Sequence, residues 1–265
     1  MTRRLVGRGR VGLRLVGRGL FSRGLIGRGL FLALWLSVGL LVAGCLPAPA
    51  TSQARQIAWL YQLFVIIAAG VFVVVWGLLT WSVLRYRAGR RHGTEPDELP
   101  PQTHGNSLVE VVWTAIPTAT IALLFAATVV VLGSIQARSS QPAVEIRVDG
   151  FRWGWSFSYA REGVVVTGSG VPGPEMVVPA GEPLLFTVSA TDVVHSFYVP
   201  SFLAKYDAIP GRDQQFEVTI EQPGSYGGQC AEFCGILHYQ MPFTVRAVTP
   251  AEYTTWVQAQ PRSGA

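Results

Sequence analysis

Charged residues are scarce in this 265-residue chain, at 14% against 49% hydrophobic. A chain that apolar has enough to bury and does not belong among disordered ones. The apolar residues lack short-range periodicity and are concentrated in three uncharged stretches, 29–54, 56–84 and 111–137. Each can hold the about 20 residues that cross a bilayer, which excludes a simple cytosolic enzyme. Acid is absent from the first 44 residues, whereas eight arginines fall within the first 28. The net charge of +5 therefore describes the leader: without it 13 basic residues face 16 acidic ones, and from Arg138 onward 8 face 12. That balance argues against a nucleic-acid partner, and a mildly acidic C-terminal half suits a basic protein partner. A Cys-x-x-Cys-His haem-attachment run is also missing, so a fused cytochrome domain is not expected in this sequence.

What is present divides into a leader, a hairpin and an exported domain. Residues 1–44 repeat a Gly-Arg-Gly theme and then turn apolar, ending at Val42-Ala43-Gly44-Cys45. A basic region, an apolar run and small residues before Cys45 read as a signal segment with a bacterial lipobox. Residues 45–56, with Pro-Ala-Pro-Ala-Thr-Ser, read as a flexible linker. Transmembrane helices are expected over 57–84 and 108–136, joined by a loop, 85–107, with Arg85, Arg87, Arg90 and Arg91 at its start. The positive-inside bias puts that loop in the cytoplasm and everything after residue 138 outside. Glu110 stands near the cytoplasmic end of the second span, where an acid either snorkels or handles protons. Pro117, seven residues on, is expected to kink the helix or to free a carbonyl for another partner.

Residues 141–250 read as β structure. Val144 to Asp149 alternates with period two, as do Phe216, Val218 and Ile220, and short β-branched runs cover 184–188, 193–199 and 243–248. Such strands separated by Pro-Gly and Ala-Gly turns indicate a sandwich or Greek-key barrel. Thr249-Pro250-Ala251-Glu252 forms a capping box, so 251–265 should hold a short helix and a tail.

The chemistry is concentrated in one loop. Cys230, Cys234, His238 and Met241 fall within twelve residues, and His195 lies in a strand-like run 35 positions upstream. Thiolate, thioether and imidazole together select copper or zinc over magnesium or calcium. A Cys230–Cys234 disulfide is compatible with an exported domain, but leaves His195, His238 and Met241 without a purpose. Zinc on two Cys and two His leaves Met241 surplus. Copper uses every donor, either as one ion on one Cys, two His and a weak Met, or as two ions bridged by both thiolates. On the residues alone these readings stay open.

The run Cys-x-Glu-x-Cys-Gly-x-x-His-x-x-Met from Cys230 to Met241, with Asp192-Val-Val-His195 and Asp207-Ala-Ile-Pro-Gly-Arg212, closely resembles subunit II of cytochrome c oxidase. The resemblance covers about residues 55–250. It implies an N-terminal transmembrane helical hairpin plus an all-β cupredoxin-like Greek-key sandwich or barrel carrying a dinuclear copper centre, CuA. Position by position, it makes Cys230 and Cys234 the bridging thiolates, His195 and His238 the imidazole ligands, and Met241 and the Glu232 carbonyl the weak ligands. The Glu232 side chain would help bind a magnesium shared with subunit I. Within Phe151-Arg-Trp-Gly-Trp155, Trp153 would be where electrons from cytochrome c enter, with Gly154 where an aromatic is frequent. Glu110 would mark the entrance of a proton channel into subunit I, and Lys205, Asp207 and Arg212 the loop facing that subunit.

The resemblance further implies a membrane-embedded oxidase in the bacterial plasma membrane, reducing oxygen to water with proton translocation. Its partners would be subunit I, other oxidase subunits, cytochrome c and membrane lipid. Asp192 and Glu175 are expected as rim acids steering a basic cytochrome. Phe233, Ile236 and Leu237 are expected to shield the metals from water. A quinol oxidase subunit would lack the ligands present here, and a simple copper carrier would need only one membrane anchor.

Overall fold

The computed structural model describes residues 46–86, 102 and 104–261. The leader, the lipobox with Cys45, most of the 85–107 loop and the end of the tail lie outside the described residues.

Helix α1 spans Ser52–Tyr86 and α2 spans Ser107–Gln136. Both are long and apolar enough to cross a membrane. At 1.5 Å per residue they measure about 52 and about 45 Å, against a hydrocarbon core of about 30 Å. Valine, leucine, isoleucine and phenylalanine face outward nearly all round both helices. Such a surface suits lipid and not water. Trp59 and Tyr61 sit near one end of α1, Trp81 and Tyr86 near the other. Twenty-two residues separate the two tryptophans, about 33 Å, as interfacial anchors require. Asn106 caps α2 by accepting from the Leu108 and Val109 amides at 3.1 and 3.2 Å. The helix runs on through Pro117 as one element.

The flexible linker expected over 45–56 is not what the structure has. Helix α1 starts at Ser52, not at 57, because the Thr51 hydroxyl caps it, accepting from the Ala54 amide at 3.0 Å. Thr51 is buried and bridges Ile220, while Ala50 donates to the Ser201 carbonyl (2.9 Å) and accepts from the Glu221 amide (3.1 Å). Arg55 pairs with Glu221, and Gln53 accepts from the Thr219 amide at 3.2 Å. The backbone polar groups of this segment thus find partners on the β domain, and that removes its freedom.

Ten strands form that domain: β1 (Val144–Phe151), β2 (Gly154–Tyr159), β3 (Val164–Ser169), β4 (Glu175–Pro179), β5 (Pro183–Ala190), β6 (His195–Val199), β7 (Ala204–Ala208), β8 (Gln214–Thr219), β9 (Gly224–Cys230) and β10 (Pro242–Val248). They make two five-stranded sheets, ordered β3-β2-β1-β5-β8 and β4-β10-β9-β6-β7. Each sheet contains one parallel pair, β1 with β5 and β4 with β10, and is otherwise antiparallel. This is the cupredoxin-like sandwich expected of the sequence. Alternation buries Val144, Ile146 and Val148 from β1, and Leu184, Phe186 and Val188 from β5, against the facing sheet. Aromatic rings fill the space between: Phe197 stacks on Phe243 at 4.6 Å, and Trp155 meets Phe243 edge-on at 5.3 Å. Helix α3 (Pro250–Ala259) carries the capping box, with the Glu252 amide on the Thr249 hydroxyl and the Thr249 amide on the Glu252 carboxylate.

Candidate metal centre

Strand register decides which side chains meet. Strand β6 begins at His195, two residues later than the apolar run at Val193, because the Asp192 carboxylate takes the Val193 amide at 2.6 Å and holds a turn. From there His195 and Phe197 share the inward face, and Cys230 at the end of β9 is the cross-strand partner of Phe197. His195 is wholly buried. Its ring lies against Gly150 of β1, where a Cβ would come within 3.1 Å of three imidazole-side atoms, and beside the Trp155 ring at 6.1 Å. Glycine at 150 is what makes room for the imidazole.

The loop after β9 turns back on itself and closes on the strand it left. The Cys230 amide donates to the Met241 carbonyl at 3.1 Å, and the same oxygen accepts the buried Trp155 indole N–H at 3.2 Å. Ala231 donates to the Ser196 carbonyl at 3.1 Å. Gly235 holds φ +123°, a conformation that disfavours a side chain, and the Trp153 indole packs over it. This folding brings six donor atoms together. Cys230 Sγ lies 3.8 Å from His195 Nδ1, 3.3 Å from the Glu232 carbonyl oxygen and 4.0 Å from Cys234 Sγ. Cys234 Sγ lies 3.5 Å from His238 Nδ1 and 3.3 Å from Met241 Sδ. Both cysteines are free thiols, at about twice the ~2.05 Å of a disulfide bond. Two thiols, two imidazoles, one thioether and one carbonyl make a soft donor set that fits copper. Zinc would leave the buried thioether unused.

Charge is shared unequally between the sulfurs. Burial is the largest single influence on Cys230 and opposes its ionisation, but the hydrogen bonds with His195, with the backbone at Glu232 and Ser196, and with His238 together outweigh it and pull its pKa down. Cys234 is pushed up by burial and by the neighbouring Cys230 charge. Burial would lower the His195 pKa, yet its hydrogen bonds to Cys230 and Asp192 raise it. Without metal, the two sulfurs thus differ, Cys230 favouring its thiolate and Cys234 its thiol.

The remaining residues singled out in the sequence are scattered. Trp153, half-buried, touches the metal loop through Gly235. Glu232 turns its carboxylate outward to Lys205 Nζ at 3.1 Å, and Lys205 also pairs with Asp207 at 3.0 Å. Glu110 sits in the first turn of α2, its carboxylate over Gly105. It is 26 residues, about 39 Å, from the end of α2 that leads to the β domain, so the structure does not bring it to the cluster.

One expectation fails in part. Phe233 and Ile236 do not shield the donors, being 79% and 81% exposed, whereas Leu237 is half-buried. The loop turns sulfur, imidazole and carbonyl inward, which leaves the intervening side chains pointing out; Trp155, Phe197 and Phe243 beneath provide the apolar floor. Asp192 and Glu175, expected as rim acids, each carry basic partners, Asp192 pairing with Arg152 and His195, and Glu175 with Arg246. Trp155 and Gly150 were missed as residues packing on the site, and Asp192, expected at the rim, proves to be the partner of His195 Nε2.

Two family models match the chain: "Cytochrome C oxidase subunit II, periplasmic domain" over residues 172–248, and "Cytochrome C oxidase subunit II, transmembrane domain" over residues 38–131. A probable cytochrome c oxidase subunit 2 of Streptomyces coelicolor is 30% identical over 279 residues, covering 86% of either chain. Cytochrome c oxidase subunit 2 of Cereibacter sphaeroides is 30% identical, covering 81% of this chain and 79% of its own. Among solved structures, the periplasmic domain of subunit II of cytochrome oxidase of Bradyrhizobium japonicum is 34% identical, with 45% of this chain and 94% of that one covered and a TM-score of 0.43.

Proposed function

This chain belongs to the cytochrome c oxidase subunit II family, and from that membership we propose that its β domain, holding a dinuclear copper centre, is where electrons from cytochrome c enter the oxidase. They leave for the haems of subunit I, where oxygen is reduced to water and protons are translocated. The observation that carries this reading is the convergence of six donor atoms through contacts of 3.3–4.0 Å, every one from a residue of the Cys230–Met241 run or from His195.

Copper would supply a one-electron couple there, held by the two thiols, two imidazoles, thioether and carbonyl of this chain. The chain's own contribution is to hold the donors still. Cys230 and Cys234 would be the bridging ligands, His195 and His238 the imidazoles, and Met241 and the Glu232 carbonyl the weak ligands. His195 cannot swing, being packed between Gly150 and Trp155, and Met241 is pinned at its backbone by two hydrogen bonds. A donor set so fixed changes little between redox states, which keeps the reorganisation opposing electron transfer small. Trp153, in contact with Gly235 of the metal loop, is the point of electron arrival.

The other roles follow from family membership. Glu110 would open a proton path into subunit I, and the Glu232 carboxylate would share a magnesium with that subunit after exchanging its Lys205 partner. Arginines 85, 87, 90 and 91 would keep the interhelical loop in the cytoplasm of a bacterial cell and the copper domain outside.

Metal analysis and electron paramagnetic resonance of the copper-loaded full chain in detergent test the reading. Two coppers per chain with hyperfine structure shared between both nuclei is the expected result. A mononuclear signal, or bound zinc with no copper uptake, would overturn it.

A further inference from the structure

Asp192 lies between the two parts of the site that must stay in register. Its Oδ1 faces the Val193 amide at 2.6 Å and His195 Nε2 at 2.9 Å; its Oδ2 accepts from the Arg152 amide at 2.8 Å and from Arg152 Nε at 3.1 Å. Four partners fill the acceptor capacity of one carboxylate. Arg152 is next to Trp153 in the turn between β1 and β2, so a single side chain spans from that turn to the buried imidazole.

The chemistry of the contact fixes a proton. An ionised carboxylate only accepts, and the other partners of Asp192 are all N–H donors, the Val193 and Arg152 amides and the Arg152 guanidinium, so no hydrogen sits on its oxygens. His195 Nε2 must therefore carry its hydrogen. In the neutral ring this leaves the lone pair on Nδ1, the nitrogen that faces Cys230 Sγ. A ring with the opposite tautomer would present N–H to the metal side and could not ligate.

We propose that Asp192 is a positioning residue with two arms, one selecting the ligating tautomer of His195 and the other holding the Arg152–Trp153 turn against the metal loop. The first arm acts through the donor set and gains its purpose from the copper reading above; the proton assignment itself does not depend on copper. Asparagine at 192 would keep one acceptor oxygen but turn an NH2 toward one of the two donor pairs. It would thus lose one arm, whereas alanine loses both.

The test uses the full chain in detergent with Asp192→Ala, Asp192→Asn and, as a control remote from the site, Glu175→Gln. In metal-free protein at a pH where the imidazole is neutral, 15N shifts report the His195 tautomer and the indole resonances report Trp153. Wild type and Glu175→Gln should show a single Nε2–H form. Asp192→Ala should show mixed tautomers with a shifted Trp153, and Asp192→Asn should show one of the two changes. After loading, Asp192→Ala should lose copper to a chelator 10–100-fold faster, the usual loss when an outer partner of a ligating histidine is removed. An unchanged tautomer in Asp192→Ala, or in Asp192→Asn an unchanged tautomer together with an unchanged Trp153, would overturn the proposal. The asparagine variant, close in volume, carries the test should the alanine protein not fold. A wild type that binds no copper yet shows the Asp192-dependent tautomer would sink the copper reading and leave this one standing.

Discussion

Replacing Gly150 by alanine places a methyl group 3.1 Å from Cβ, Cγ and Cδ2 of His195, where ordinary contacts are 3.4–4 Å. The imidazole has to give by a few tenths of an ångström. It has little room, with the Trp155 ring centroid 6.1 Å away and Nε2 tied to Asp192 at 2.9 Å. Two effects on stability oppose one another. Overpacking a filled core costs about 1–3 kcal/mol, and removing a glycine from a strand interior returns roughly 0.5–1 kcal/mol. The metal-free protein should therefore lose only about 0–2.5 kcal/mol. The displaced Nδ1 is the larger consequence: copper should be held at least about tenfold more weakly, equivalent to about 1.4 kcal/mol of the stabilisation that bound metal confers. Melting of the detergent-solubilised chain with and without copper, together with the rate of copper release to a chelator, separates the two. A Gly150→Ala protein that holds copper as long as wild type would refute the claim that the glycine exists to seat the imidazole.

Further outcomes follow from the same geometry. Cys230→Ser should abolish the shared two-copper hyperfine pattern, and retention of normal copper content and colour would refute the bridging assignment. Copper uptake near neutral pH should release protons, from Cys234 and from the fraction of His195 that is imidazolium, because the pKa values of both are raised in the metal-free protein. Affinity should accordingly fall as the pH drops through the raised His195 value and climb toward alkaline pH; a pH-independent affinity measured by chelator competition would contradict this. Thr249→Ala removes the hydroxyl that caps α3 and should cost about 1 kcal/mol in thermal unfolding. It should leave the copper spectrum unchanged, since α3 packs against Tyr159 through Trp256 and not against the metal loop.

Much of this protein is written in one dimension because the physics concerned is local. A run of apolar residues long enough for a bilayer needs no partner to be recognised, and period-two alternation in Val144 to Asp149 betrays a half-buried strand. The capping box at Thr249 is complete within four residues, and the donor set clustered in Cys230–Met241 carries its metal preference in its atoms. Other features depend on residues distant in the chain. Ala50 and Thr51 looked like linker because their hydrogen-bond partners are Ser201, Ile220 and Glu221. Which loop residues face water was decided by the fold-back of the Met241 carbonyl onto the Cys230 amide. Whether Asp192 is a free acid or a bound one was settled by its meeting Arg152, 40 positions away. Composition and spacing declare which chemistry a chain can perform, whereas the pairing of charges, the space left for a ring and the exposure of a side chain arise only when separate strands pack.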